Sequence, residues 1–233
     1  MLDACRSRRP CLSGACPPCT CAAQRMFVHA TRKFFEPPLG HFLAVYIVWR
    51  KSLIDCTHLA AEDLYGPTRR RLRRALADIR VPAFGGFDIS LNEHEARRFA
   101  PHWAPHVLIF APTKLSGRRE ERLREWFLGD ARTPRPILIK RFDGRRVGRA
   151  YALKPDFGRR ISLKPRLSAD GSRSTFSTRS KPIFGRERVD LALALDRAGL
   201  DSRLFLWGYQ LVQFRGDVEI VRISPPGPSI RRS

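Results

Sequence analysis

The spacing of four short apolar runs limits the fold of this chain more than any other feature of its sequence. The first run, 41–49, is rich in β-branched and aromatic residues and is bounded by glycine and by basic residues, as is typical of a central strand. The runs at 84–91, 105–110 and 136–140 also have the length and composition of buried strands. These runs predict four strands of one sheet.

Two helical segments separate these strands. The first spans 57–79, with Pro67 at the start of its firmer half and with Leu72 and Leu76 on one face. The second is predicted over 116–128. The order strand, helix, strand, strand, helix, strand is the split βαβ arrangement of ferredoxin-like domains. We therefore predict an α+β fold, with an antiparallel sheet and helices on one of its faces.

The rest of the chain is predicted to be appendages to this domain. Residues 1–40 are expected to be disordered or to precede the true start, with Met26 as the candidate first residue of the functional protein. The remaining divisions are a ferredoxin-like domain at 41–157, a basic flexible linker at 158–185, a helix and hairpin at 186–224, and a loose tail at 225–233.

The chain is strongly basic. Its 44 Lys and Arg residues against 22 Asp and Glu leave a net charge of +22. Such a charge attracts polyanions, and nucleic-acid phosphates are the commonest partner because binding them releases counterions. No apolar run reaches the roughly 18 residues expected of a membrane span, so we predict a cytoplasmic protein with no membrane partner.

The cysteines are concentrated near the N-terminus, where five of the six lie within the first 21 residues. Cys16 and Cys19 have the C-x-x-C spacing of a zinc site, but no second pair follows at a finger-like distance. We therefore favour an N-terminal segment without function over a zinc site. Cys56 has no obvious disulfide partner.

The strand at 105–110 begins with a histidine. In this stretch the chain resembles the HUH class of rolling-circle replication initiators, relaxases and transposases, in which two histidines flanking one hydrophobic residue hold a divalent metal on a ferredoxin-like sheet. Residues two apart on a strand point to the same face. His106 matches the first histidine, whereas Leu108 occupies the position of the second.

The resemblance implies a manganese or magnesium site and no organic cofactor. Its ligands would be His106, His102 and Glu93, with His94 as an alternative third ligand, because imidazole and carboxylate suit a metal that assists phosphodiester cleavage. The alternative is that His106 is an ordinary strand histidine, bonded to backbone and water, and that Glu93 and His94 lie in an exposed turn.

Tyr151 and Lys154 follow the fourth strand with the Tyr-x-x-Lys spacing that HUH enzymes often show. The resemblance, which covers roughly 41–157, implies that Tyr151 is the nucleophile that forms a covalent phosphotyrosine, with Lys154 stabilising the developing charge. The alternative is an aromatic side chain packed beneath the basic segment.

Basic residues interleaved with Tyr151 and Phe157 predict a path for single-stranded DNA, in which bases stack on aromatic rings while cations follow the phosphates. A solvated loop is the alternative. The candidate nucleic-acid-binding residues are Arg145, Arg146, Arg149, Arg159, Arg160, Lys164 and Arg166.

Three functions remain open at this point. The first is an HUH-like DNA-binding protein of plasmid or phage replication that nicks DNA. The second is a non-catalytic nucleic-acid-binding module, either a degenerate relative or an RNA-binding ferredoxin-like domain. The third is a structural or host-interaction protein.

Overall fold

The computed structural model describes residues 5, 9–36, 42–112, 115, 117–130, 133–163, 178–214 and 217–223. Within these ranges the α-helices are α1 (Pro17–Ala30), α2 (Gly66–Ile79), α3 (Arg118–Trp126), α4 (Arg146–Tyr151) and α5 (Gly185–Ala198). The strands are β1 (Phe42–Val48), β2 (Ile54–Asp55), β3 (Ala83–His94), β4 (His102–Pro112), β5 (Ile137–Phe142), β6 (Gly158–Ser162), β7 (Thr178–Lys181), β8 (Leu204–Trp207), β9 (Tyr209–Phe214) and β10 (Asp217–Arg222). In these ranges, no helix combines the length and the apolar character needed to cross a membrane.

The fold is α+β, as predicted, and its main element is a mixed sheet with the order β5-β1-β4-β3-β6-β7. β1 runs antiparallel to β4 and β5, β3 runs antiparallel to β4, and β6 lies parallel to β3. β2 pairs with β4, β8 pairs with β3, and β9 and β10 form a separate hairpin. The four strands and two helices predicted between 41 and 140 are present, although β3 and β4 are longer than predicted and α2 begins at Gly66 instead of at residue 57.

Both faces of this sheet are covered by apolar side chains. Because neighbours along a strand point to opposite faces, β4 contributes Val107 and Ile109 to one buried cluster and Leu108 and Phe110 to another. The first cluster also contains side chains of α2, α3 and α5, and we call this side the first face. The second cluster contains Phe27 of α1, and we call this side the second face.

The prediction that helices lie on one face only is therefore wrong. On the second face, the Phe27 ring lies 6.3 Å from that of Phe84 and 6.5 Å from that of Phe110. Phe34 and Phe35 continue this cover. The expected disorder of the N-terminal segment is also wrong for residues 17–30, because α1 buries Phe27 completely. Frequent Cys, Pro and Arg residues conceal this apolar surface in the sequence.

Parts of the predicted linker and of the C-terminal extension belong to the main sheet, whereas β9 and β10 form the predicted hairpin apart from it. β6, in the predicted linker, pairs with the end of β3, and β8 pairs with its beginning. α5 contributes Leu191 and Leu195 to the cluster on the first face. β8 is apolar throughout, whereas Ile161 is the one large apolar residue of β6, so the pairing of β6 depends on β3 rather than on a local pattern. The predicted tail beyond residue 223 and residues 164–177 of the predicted linker lie outside the described residues.

Candidate functional site

The candidate site lies on the second face, where the edge of β3 changes partner. β8 pairs with residues 83–86 of β3 and β6 pairs with residues 90–94. The segment after α4 comes close to β3 beside this change, because a Cβ atom on Gly86 would lie 2.1 Å from the Ala152 carbonyl oxygen. Only a glycine permits so close an approach. This approach brings Lys154 to Asp88.

Arg203 fills the gap between the two partner strands. Its guanidinium donates to the Lys154 carbonyl at 2.7 Å and to the Phe87 carbonyl at 3.4 Å, and it stacks 4.9 Å from the centre of the Phe157 ring. The residue is only 1% exposed. Arg203 therefore supplies donors where β3 lacks a strand partner, and it ties the segment after α4 to the sheet. Sequence reasoning did not identify it.

Asp88, His106 and Lys154 form a largely buried cluster of ionisable side chains. Asp88 and His106 are directly paired across β3 and β4, and His106 Nε2 lies 3.1 Å from Asp88 Oδ2. Lys154 Nζ lies 3.0 Å from the same oxygen. Burial tends to raise the pKa of Asp88, but His106 and Lys154 outweigh it, so the pKa lies below its ordinary value. The cluster therefore keeps Asp88 ionised.

The predicted metal ligands are not brought together. His102 and His106 lie on the same face of β4, but four residues of strand separate them by about 13 Å. The side chain of Glu93 points to the first face, where Oε1 lies 2.9 Å from Arg159 Nη1. In His94, the alternative ligand, Nδ1 accepts a hydrogen bond from the Ala96 amide at 3.0 Å.

The histidine nitrogens are also engaged elsewhere. His106 Nδ1 lies 3.1 Å from the Ala104 carbonyl, while its Nε2 faces Asp88. His102 Nδ1 lies 3.0 Å from the Ala100 carbonyl. The ammonium of Lys154 already occupies the position beside Asp88 that a cation would take. These residues therefore do not fit the divalent metal that the HUH resemblance implies.

Tyr151 lies at the end of α4 with its side chain at the surface. It is 37% exposed, so part of its ring is accessible, while neighbouring side chains cover the rest. Arg160 Nη2 donates to its hydroxyl at 3.1 Å, and Lys154 Nζ lies 5.6 Å from the ring centre. The Tyr46 ring lies 6.4 Å away. Burial, and then the proximity of the Tyr151 phenol, raise the pKa of Tyr46.

The predicted nucleic-acid-binding arginines fall into two groups. Arg149 donates to the Val28 carbonyl at 2.9 Å, and Arg159 pairs with Glu93 and Glu187, so both join elements of the fold. Arg146 is exposed on α4, and Arg145, which precedes α4, is exposed and pairs with Asp143.

Arg160 lies at the site itself, through its contact with Tyr151. Lys164 and Arg166 lie outside the described residues. Of the predicted binding set, Arg145, Arg146 and Arg160 are therefore the described members placed to meet a ligand.

A second group of side chains was undervalued by sequence reasoning. The sulfur atoms of Cys5, Cys11, Cys16 and Cys19 all lie within 4.8 Å of one another, and among the described residues they are the one group placed to hold a metal ion. The partners of the C-x-x-C pair precede it instead of following it. That order is the signal that could have identified them.

Comparison with known proteins found no match. No protein-family model matches the chain, and neither a curated protein nor a solved structure is significantly similar to it. The chemistry of the site follows from its own side chains.

Proposed function

We propose that this protein binds single-stranded DNA on its second face and acts in the cytoplasm. The observation that carries the proposal is the exposed ring of Tyr151, with the Arg160 guanidinium 3.1 Å from its hydroxyl. An accessible aromatic ring beside a cation suits a strand whose bases stack on the ring while its phosphates meet the cation. The net charge of +22 favours a polyanionic partner over other ligands.

The surroundings of Tyr151 extend this basic surface. Lys140 of β5 pairs with Ala44, whose side chain belongs to the cluster on the second face, so Lys140 lies on that face as well. Lys140 and Arg146 are both exposed. A strand crossing Tyr151 would therefore have cations available on α4 and on the neighbouring edge strand β5.

The ferredoxin-like assignment for the central strands is part of the same proposal. It is supported by the order β5-β1-β4-β3 with every neighbouring pair antiparallel. It is also supported by α2 and α3, which connect these strands and both pack on the first face. Folds of this kind host many functions, so the DNA-binding proposal depends on the Tyr151 site and not on the topology.

Strand nicking by Tyr151 is a second candidate function, favoured by the accessible hydroxyl beside Arg160. In that reaction the phenolic oxygen would bond to phosphorus and lose its proton to solvent. The 3′ oxygen would leave and take up a proton, while Arg160 stabilises the phosphate charge. We derive no step through a divalent metal, because His102, His106 and Glu93 do not converge.

Binding is tested by fluorescence anisotropy with a labelled single-stranded DNA of mixed sequence over a range of salt concentrations. We expect Tyr151→Ala to weaken binding by roughly tenfold, because base stacking contributes about 1–3 kcal/mol, and Tyr151→Phe to retain affinity. Arg160→Gln should weaken binding and reduce the salt slope by about one.

The matched control is Arg74→Gln. Arg74 is an exposed residue of α2, on the first face of the sheet, and the substitution removes the same charge. The proposal is wrong if Arg74→Gln weakens binding as much as Arg160→Gln, or if the protein shows no affinity for the DNA. Tighter binding to an RNA of the same sequence would favour the RNA-binding alternative. A covalent adduct on a denaturing gel that Tyr151→Phe abolishes would establish nicking.

A further inference from the structure

The four clustered cysteines have the geometry of a single tetrahedral metal site. Cys5 Sγ lies 3.5 Å from Cys19 Sγ, and Cys11 Sγ lies 3.7 Å from it. Zinc–thiolate bonds of about 2.3 Å in a tetrahedron place neighbouring sulfurs about 3.8 Å apart. A disulfide would require a sulfur separation of about 2.05 Å, and all six cysteines are free.

Local backbone structure positions the ligands without a metal. Cys16 is the N-cap of α1, and Cys19 lies in its first turn. Upstream, Leu12 has a φ of 55°, in the left-handed region, and a turn follows in which the Cys16 amide donates to the Ser13 carbonyl at 3.2 Å. The Leu12 carbonyl accepts a hydrogen bond from the Leu200 amide at 2.9 Å, so the segment that follows α5 anchors the loop.

The cysteine cluster is largely buried, as is typical of a structural zinc site. Cys16 and Cys19 are 1% and 4% exposed, whereas Cys11 is exposed and leaves an entry path for an ion. Four thiolates complete a tetrahedron and leave no open position for a substrate. In a [4Fe–4S] cluster each thiolate binds a different iron atom, which spreads the sulfurs farther apart than around one ion.

We propose that Cys5, Cys11, Cys16 and Cys19 bind one structural Zn²⁺ ion. Tetrahedral four-sulfur coordination suits zinc, and the site needs no redox partner. The ion holds the N-terminal loop at the start of α1 and against the end of α5, where a Cβ atom on Gly14 would lie 2.7 Å from the Leu195 carbonyl oxygen.

The position of α1 gives this ion an influence on the second face. Gln24 donates from its side chain to the Ala150 carbonyl at 2.9 Å, and Arg149 donates to the Val28 carbonyl at the same distance. α1 thus supports α4, whose last residue is Tyr151. The zinc proposal itself does not depend on DNA binding.

The test is the metal content of the full chain, expressed with added zinc and dialysed without chelator. We expect about one zinc per chain by elemental analysis, six titratable thiols after denaturation without reductant, and the visible absorption of tetrahedral tetrathiolate Co²⁺ on cobalt replacement. Cys11→Ser should lose most of the bound zinc. Cys21→Ser and Cys56→Ser are matched controls, because neither sulfur belongs to the cluster, and both should retain it.

Three outcomes would overturn the proposal. They are a wild-type chain with no stoichiometric zinc and no cobalt spectrum, a thiol count that reveals disulfides among the four cysteines, or iron in place of zinc. If Cys11→Ser does not fold, the zinc content and cobalt spectrum of the wild-type chain still decide the question.

Discussion

The side chains of Asp88 and Lys154 meet on the second face of the sheet, with Nζ 3.0 Å from Oδ2. Their side chains are 5% and 17% exposed, so the pair is largely removed from water. Among the described residues, neither Asp88 oxygen has an aligned hydrogen-bond donor, although His106 and Lys154 approach one of them. The ion pair with Lys154 therefore offsets most of the free-energy cost of burying this carboxylate.

We expect Lys154→Met to lower the free energy of unfolding by about 3–5 kcal/mol, because it leaves a buried carboxylate without its ammonium partner. The double variant Asp88→Asn with Lys154→Met should recover much of this loss. Urea unfolding of the wild type, both single variants and the double variant forms a cycle that measures the coupling. Additive effects of the two substitutions would contradict the ion pair.

The depressed pKa of Asp88 predicts a loss of stability in acid. A carboxyl group whose folded pKa lies below its ordinary value of 3.8 stabilises the folded state above that value. This contribution disappears as the pH falls below 3.8 through the folded pKa, because the unfolded chain then binds more protons. Urea unfolding across this range should show a smaller pH dependence for Asp88→Asn than for the wild type.

The control for this pH series is Asp78→Asn. The pKa of Asp78 is also lowered, by the Trp126 indole and by Arg122, although burial opposes them. Asp78 lies on α2, away from Lys154 and His106. The Asp88 assignment fails if Asp88→Asn leaves the pH dependence of the wild type unchanged while Asp78→Asn reduces it.

Gly86→Ala tests the close approach that brings Lys154 to Asp88. The added methyl group would meet the Ala152 carbonyl oxygen at 2.1 Å, so the segment after α4 must shift. We expect the free energy of unfolding to fall by about 1–3 kcal/mol, as for other overpacking substitutions. We also expect weaker DNA binding. At Gly158 on β6, the atom nearest to an added Cβ would be 3.7 Å away. Gly158→Ala should therefore change neither thermal unfolding nor DNA binding by fluorescence anisotropy, the two measurements that check Gly86→Ala.

Much of the central sheet could be predicted because its determinants are local. Runs such as 41–49 and 105–110 combine β-branched and aromatic residues over the length of a strand, and Leu72 and Leu76 recur at helical spacing. Tyr151 was likewise identified from a short motif, and its exposure agrees with a role in binding. Its chemistry remains a prediction.

The failures concern contacts between distant parts of the chain. Glu93 was chosen as a ligand because it is near the histidines in sequence, yet the alternation of β3 turns its side chain to the first face. The pairing of β6 with β3 has no local apolar signal. Asp88 and Arg203 were overlooked because their importance depends on burial, which the sequence does not display.

The sequence by itself determined the net charge, the central strands, and the helices between them, since each depends on composition or on a period of a few residues. Tertiary structure alone decided that α1 covers the second face, that Lys154 neutralises Asp88, and that Cys5 and Cys11 join Cys16 and Cys19. The physical reason is that burial and ionic contact depend on distance in space, which the chain establishes only when its separate segments pack together.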